Sequence, residues 1–333
     1  MDKRNQLWIL SIASIALLIS LVSCEANSSV TTVPELYIPM VGNSVPEIDH
    51  NIELSTTNIE KTAEIYRFVD PPANPEYVLD ELTSVFGLST DAHKESFDDF
   101  IIISDDKMMI DYETATGTWS FYDRSYDKTA PRILPTKEES AAIARDFLIE
   151  NGFYNERFST ETVVTQYSGN EHDETYAPYC NAVYFYPMLN GKPILGVSRI
   201  VVSVGEDGQI IEVLKYYKDF VSCGTIEIAE PLSFVDGIKA NQYSTTIDDK
   251  AISSNITEVE LAYWEDAGSC AEQPYLQPVW VFAGTSIQPD GSESKFDVIV
   301  QAAKNIERQD ETKSKAPSEN KPTLDIEPTP PVQ

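Results

Sequence analysis

Residues 181–217, NAVYFYPMLNGKPILGVSRIVVSVGEDGQIIEVLKYY, decide how the middle of this chain folds. The dipeptide NG at 190–191 and the tripeptide EDG at 206–208 interrupt runs of apolar residues. Asn, Asp and Gly enter positive φ at low cost, which tight hairpins require. Apolar and polar positions alternate between the turns, as in a half-buried strand. The stretch therefore predicts three antiparallel strands, at residues 182–187, 197–204 and 210–217.

The sequences on either side of this stretch have patterns typical of helices followed by further antiparallel strands. EYVLDELTSVF at 76–86 has apolar residues at helical spacing and is followed by a glycine suited to ending a helix. Thr136 with Glu139 forms a capping-box pattern at the start of a second helix. The expected fold class is α+β, with two or three modules that each consist of a helix packed on an antiparallel sheet.

Composition sets the predicted boundaries after a signal segment at 1–23. The predicted units are a flexible acidic tether at 24–70, an N-terminal α+β module at 71–133, a middle module at 134–228, a C-terminal module at 229–304 and a disordered tail at 305–333. The tether and the tail are rich in proline and polar residues. Such segments bury too little apolar surface to offset the entropy of ordering them.

The first 24 residues have the composition of an export signal. Lys3 and Arg4 precede an apolar run of about fifteen residues, shorter than the ~20 that a membrane-spanning helix needs. LVSC at 21–24 resembles the lipobox of bacterial lipoproteins. The resemblance implies an acylated Cys24 that anchors the protein to the lipid bilayer, on the extracytoplasmic face of the bacterial cell membrane. An ordinary signal peptide with an incidental cysteine and an uncleaved anchor helix are the alternatives.

The formal net charge of −30 restricts the partners. It disfavours nucleic acid and also disfavours flat binding to anionic lipid. The densest group of metal-ligand residues is EHDE at 171–174, inside an acidic loop at 169–178. Adjacent residues of one loop rarely converge on an ion, so a solvated loop is expected and a cation site is the alternative. We assign no metal and no cofactor.

The cysteines and the lack of common catalytic motifs bear on disulfides and on enzymatic activity. An exported compartment permits disulfides, and Cys270 is expected to pair with either Cys180 or Cys223. The chain has no HExxH or GxSxG motif, and the SxxK matches at 104–107 and 292–295 fall in predicted hairpin turns. We therefore predict no catalytic residue and a non-enzymatic protein.

A family resemblance rests on two parts of the chain. TKEESAAIARDFL at 136–148, FYPMLNGKPILG at 185–196 and VVSVGEDGQII at 201–211 resemble PepSY-type and protease-propeptide-like modules. LQPVWVFAG at 276–284 with FDVIVQA at 296–302 is similar to the closing hairpin of exported regulatory proteins of the YycH/YycI kind. The resemblance implies a regulatory or sensing module that docks on a protein partner, such as a sensor-kinase ectodomain or an extracytoplasmic protease.

Aromatic residues are the candidates for the docking surface. Tyr and Trp are enriched at binding surfaces because they combine a large apolar area with a polar group. We expect Tyr184, Tyr186, Tyr216 and Trp280 to contact the partner. The alternative function is a surface lipoprotein that binds a cell-wall polymer or a solute.

Overall fold

The computed structural model describes residues 30–39, 48–54, 60–130, 132–169 and 176–307. Four regions singled out from the sequence lie outside the described residues. They are the predicted signal peptide, the predicted lipidation site Cys24, the acidic group at 171–174 and the tail from residue 308. Over the described ranges, no helix is both long enough and apolar enough to cross a membrane. The fold class is α+β, with few helices and extensive antiparallel sheet.

Strands dominate the described residues. The first part of the chain contains β1 (Val33–Pro34), β2 (His50–Ile52), β3 (Thr62–Phe68), α1 (Glu76–Phe86), β4 (His93–Ser96), β5 (Phe100–Ser104), β6 (Met108–Glu113) and β7 (Trp119–Asp123). The middle part contains α2 (Lys137–Glu150), β8 (Thr160–Ser168), β9 (Ala177–Tyr186), β10 (Met188–Leu189), β11 (Lys192–Gly196), β12 (Arg199–Val204) and β13 (Ile210–Tyr216). The last part contains β14 (Phe220–Glu227), α3 (Val235–Lys239), β15 (Ser244–Thr245), β16 (Ser253–Glu265), β17 (Tyr275–Ile287), β18 (Glu293–Gln301) and β19 (Ile306–Glu307).

An eight-stranded sheet unites the first two predicted modules. Its strand order is β4-β5-β6-β7-β13-β12-β9-β8, and every neighbouring pair is antiparallel. The central pairing joins β7 to β13, with Phe121 opposite Val213. Strands expected in an N-terminal and a middle module therefore belong to one continuous sheet.

Both longer helices pack on one face of this sheet. Leu82 of α1 and Leu148 of α2 are buried against sheet residues such as Phe121, Val202 and Val213. The predicted capping box at the start of α2 is confirmed, because Thr136 and Glu139 exchange hydrogen bonds between side chain and backbone. This leaves the opposite face of the sheet without a helix from the described part of the chain.

A second sheet contains most of the C-terminal strands. Its order is β10-β11-β16-β17-β18-β15, with β2 paired to β16 and β3 paired to β14 and β17. The predicted hairpin of β17 and β18 is confirmed, with Phe282 opposite Val298 and Gly291 in its turn at φ 83°. These strands enclose a separate apolar core that includes Ile256 and, from α3, Ile238.

The Asn190–Gly191 turn is confirmed, but its hairpin is not the predicted one. The turn residues have φ 51° and 77° and join β10 to β11. β11 then pairs in parallel with β16, so that Leu195 lies opposite Trp264. The hairpin of β10 and β11 therefore belongs to the second sheet, although it lies between β9 and β12 in the sequence. β9 and β12 pair directly with each other in the eight-stranded sheet. Alternation indicates a strand but not its partner, so the sequence did not show this crossing.

The segments predicted as tether and tail are partly built into the fold. Val33 is 1% exposed, and β1 pairs in parallel with β19 from the tail. β2 and β3, also from the tether region, pair with β16 and β14. A polar composition did not prevent this order because sheet pairing uses backbone N–H and C=O groups, which every residue except proline supplies.

The predicted disulfide is wrong for the three described cysteines. Cys180, Cys223 and Cys270 are thiols and all are buried. Cys223 packs in the core of the second sheet, Cys270 in a separate cluster, and Cys180 lies on β9 of the other sheet. A disulfide needs Cα atoms within about 7 Å. Burial raises the pKa of Cys180 to about 12, which keeps this thiol protonated and unreactive.

Candidate functional site

The face of the eight-stranded sheet opposite the helices carries tyrosines from three strands. We call Tyr122 of β7, Tyr216 of β13, and Tyr184 and Tyr186 of β9 the tyrosine face. Tyr184 lies opposite Val201 and Tyr216 lies opposite Arg199. Side chains alternate along a strand, and the neighbouring residue Phe185 packs in the helix-covered core. The tyrosines therefore point to the face that the described helices leave uncovered.

The four rings are half-buried and partly fixed by one another. Tyr184 and Tyr186 are stacked, with ring centroids 6.3 Å apart and planes 11° apart, as residues two apart on one strand allow. Partial burial raises the pKa of all four phenols, most of all that of Tyr216. The hydroxyl groups therefore stay neutral and can donate hydrogen bonds at physiological pH.

Charged groups lie among the rings. The Arg199 guanidinium lies 5.3 Å from the centroid of the Tyr216 ring. Ser203 Oγ donates a 2.9 Å hydrogen bond to Glu212 Oε2. Asp111 Oδ1 is buried and has no hydrogen-bond partner among the described residues, and desolvation raises the pKa of its carboxyl group. The tyrosine face thus offers an apolar surface with a cation, carboxylates and hydroxyl donors, a combination typical of protein-binding surfaces.

The structure brings together three of the four predicted binding aromatics. Trp280 is not among them, because it lies on the central strand β17 of the other sheet and is 5% exposed. Its Nε1 donates a 2.9 Å hydrogen bond to the Ala229 carbonyl oxygen. β17 is buried on both faces over most of its length. Trp280 therefore packs in the core of the second sheet, and its prediction as a partner contact is wrong.

Sequence reasoning missed Tyr122, Arg199 and Glu212 as members of this surface. Tyr122 falls in the predicted N-terminal module at 71–133, whereas the other three tyrosines fall in the predicted middle module at 134–228. Its place beside the other tyrosines depends on the pairing of β7 with β13, in which Tyr122 lies opposite Glu212. Arg199 precedes the apolar run of β12, and the same alternation that buries Ile200 and Val202 places it outward. That alternation was the signal in the sequence from which the outward position of Arg199 could have been predicted.

Comparisons with known proteins leave this surface unassigned. No family model matches the chain, and no curated protein matches it. A crystal structure of an uncharacterized protein from Eubacterium rectale is similar over 78% of this chain and 91% of that chain. The sequence identity is 14% and the TM-score is 0.43.

Proposed function

We propose that this chain is a lipid-anchored extracytoplasmic protein that regulates or senses by binding a protein partner through its tyrosine face. The observation that carries the proposal is the convergence of Tyr184, Tyr186 and Tyr216 with Arg199 on the face of the sheet opposite α1 and α2. A tyrosine has two side-chain torsions, so it contributes a large contact area at a low cost in entropy. Aromatic residues and arginine are also the residues that contribute most to binding energy in interfaces.

The partner that we propose is the ectodomain of a sensor kinase or an extracytoplasmic protease. Support comes from the resemblance of the helix at α2 and the strands after it to PepSY-like modules, which are docking modules. α2 packs on one side of β8, β9 and β12, and the partner would bind the other side, which carries Tyr184 and Tyr186. Such a role requires no catalytic group on the tyrosine face.

Site-specific photocrosslinking on intact cells tests the binding role. A benzophenone amino acid replaces Tyr184 in one variant and Tyr77 in a control variant, since Tyr77 is 68% exposed on α1. We expect the Tyr184 variant to crosslink to one protein that mass spectrometry identifies, and the Tyr77 variant to yield at least tenfold less of it. Recovery of wall glycan alone would favour the alternative function. Equal yields from both positions would contradict docking at the tyrosine face.

The anchor has its own test. Replacement of Cys24 by serine removes the sulfur that would carry the acyl chain, so the protein should move from the membrane fraction to the soluble extracellular fraction. Cell fractionation with immunoblotting measures this. Replacement of Cys180 by serine is the control, because this cysteine is buried in the folded part. Full retention of the Cys24→Ser variant in the membrane fraction would contradict the lipoprotein assignment.

A further inference from the structure

A polar cavity of about 760 Å³ lies in the second sheet, far in the sequence from the tyrosine face. It is lined by residues around β2, by Lys239 at the end of α3, and by the ends of β16 and β17 that contain Ser254 and Ile287. His50 and Ser254 both belong to the lining, although they are only 7% and 3% exposed. Their small exposed surfaces therefore face this cavity.

His50 joins two polar side chains from distant parts of the chain. Its Nδ1 lies 2.6 Å from Ser254 Oγ, and its Nε2 lies 2.9 Å from Asn241 Oδ1. The Asn241 oxygen can only accept, so Nε2 carries the proton of the neutral imidazole. Nδ1 is then an acceptor, and the Ser254 hydroxyl donates its proton to it. This is the arrangement of nucleophile, base and orienting group that serine and cysteine acyl-transfer enzymes share on unrelated folds.

Three separate structural elements create this geometry. β2 pairs in parallel with β16, and the register places His50 directly opposite Ser254, so both side chains lie on one face. Asn241 follows α3 with φ 54°, in the left-handed region that asparagine tolerates better than most residues. Its backbone N–H donates to the Ile238 carbonyl oxygen, which ties this turn to the helix end.

We propose that Ser254, His50 and Asn241 form a second, hydrolytic site that acts on carboxylic esters. This hydrolytic site goes beyond the binding function proposed above and does not depend on that function. It also departs from the sequence-based expectation of a non-enzymatic protein. Lys239 lines the same cavity and supplies a positive charge for the oxyanion that forms during the reaction.

The reaction proceeds in two balanced steps. In the first, Ser254 Oγ bonds to the ester carbonyl carbon while its proton moves to His50 Nδ1. The carbon–alkoxide bond then breaks, and the leaving alkoxide takes that proton and departs as an alcohol. In the second, His50 Nδ1 takes a proton from water, and the resulting hydroxide attacks the acyl carbon. Ser254 Oγ leaves, recovers the proton from Nδ1, and a carboxylic acid is released. Asn241 Oδ1 keeps its bond to Nε2–H throughout and holds the ring orientation.

The test uses a fluorophosphonate probe on the whole chain. An activated serine Oγ displaces fluoride and forms a stable bond to phosphorus, and tandem mass spectrometry of peptides locates the adduct. We expect the adduct at Ser254, and hydrolysis of p-nitrophenyl acetate that this adduct inhibits. Absence of an adduct at Ser254, under conditions that label a known serine hydrolase, would overturn the proposal.

Matched variants separate a reactive serine from a structural one. Ser286 lies opposite Ser254 on β17 and is 0% exposed, so Ser286→Ala controls for the loss of a buried hydroxyl. We expect Ser286→Ala to keep the labelling rate, and His50→Gln to reduce it at least tenfold. Asn241→Gly keeps a backbone that favours positive φ while it removes the orienting oxygen, so it should also slow labelling while the circular dichroism spectrum stays unchanged. An unchanged labelling rate in folded His50→Gln would overturn the role of the histidine.

Discussion

The junction between the two sheets contains a carboxyl group with almost no access to water. Glu265, the last residue of β16, is 1% exposed. Its Oε1 accepts a 2.7 Å hydrogen bond from the backbone N–H of Lys218. The Lys218 ammonium is also buried and donates to the carbonyl oxygens of Asp266 and Gly268. Burial raises the pKa of Glu265 from 4.5 to about 7, in spite of the nearby Lys218, Ser198 and Lys215, which lower it.

This pKa predicts that the protein loses stability as the pH rises towards neutrality. The folded state favours the protonated form, so the contribution of Glu265 is fully present below its unfolded pKa of about 4.5 and disappears as the pH passes about 7. The loss amounts to about 3 kcal/mol. Glu265→Gln should therefore be more stable than the parent chain at pH 8 and similar to it at pH 4.5. Urea unfolding at the two pH values measures the difference.

The control for this prediction is Glu258→Gln, which removes an exposed carboxylate from the same strand. It should change the free energy of unfolding by less than ~0.5 kcal/mol at either pH. A Glu265→Gln variant with the same pH dependence as the parent chain would show that Glu265 is ionised across this range.

At the scale of elements, β11 determines how the two sheets are connected. Gly196 ends this strand at φ 91°, and a Cβ placed on it would overlap the Glu265 carbonyl oxygen of β16. That oxygen also accepts a 3.0 Å hydrogen bond from Val197 N–H. The backbones can approach this closely only because residue 196 has no side chain.

Alanine substitutions at two glycines separate steric overlap from backbone strain. Gly191 has φ 77° in the β10–β11 turn, but a Cβ there would meet no heavy atom within 4 Å. Gly191→Ala should therefore cost only the strain of positive φ, about 1–2 kcal/mol. Gly196→Ala adds the overlap with β16 and should cost roughly 3 kcal/mol or more. Equal losses of unfolding free energy in urea titrations would show that the close approach at Gly196 is absent.

At the scale of the whole molecule, the described parts of the two terminal segments are hydrogen-bonded to each other. Val33 N–H donates to Asn305 O, Glu35 N–H donates to Glu307 O, and Asn305 Nδ2 donates to Thr31 O. Val33 is buried in the core of the second sheet. The pairing of β1 with β19 therefore closes the fold with residues from both ends of the described chain.

Two truncations that differ by three residues test this closure. A chain that ends at Glu307 keeps β19, whereas one that ends at Lys304 loses it. Because a net hydrogen bond contributes about 0.5–1.5 kcal/mol and the chain that ends at Lys304 loses the three named above, it should be less stable than the chain that ends at Glu307 by roughly 1.5–4.5 kcal/mol. Differential scanning calorimetry measures both. Identical melting temperatures would show that β19 does not stabilise the fold.

Local sequence determined most helices, turns and strands of this protein. The helix at 76–86, the Thr136–Glu139 cap, the glycine-containing turns and the strands around them depend on neighbours within a few residues, which the sequence shows directly. The choice of Tyr184, Tyr186 and Tyr216 as binding residues rested on residue type, because tyrosine is enriched at binding surfaces. Lys218 in the junction and the pair of His50 and Ser254 gave no such signal, because their partners lie 47 to 204 residues away.

Tertiary structure alone decided which strands pair and which aromatics are buried. A period of two residues gives each strand an inner and an outer face. This alternation does not depend on which strand is the partner, or on whether the strand lies at the edge or in the centre of the sheet. For this reason the sequence predicted separate modules, a disulfide and an exposed Trp280. The fold instead joined two modules in one sheet, separated the cysteines and placed Trp280 in the core. The pairings of β12 with β9 and β13 bring the three predicted tyrosines together, and the long-range pairing of β7 with β13 adds Tyr122 to them.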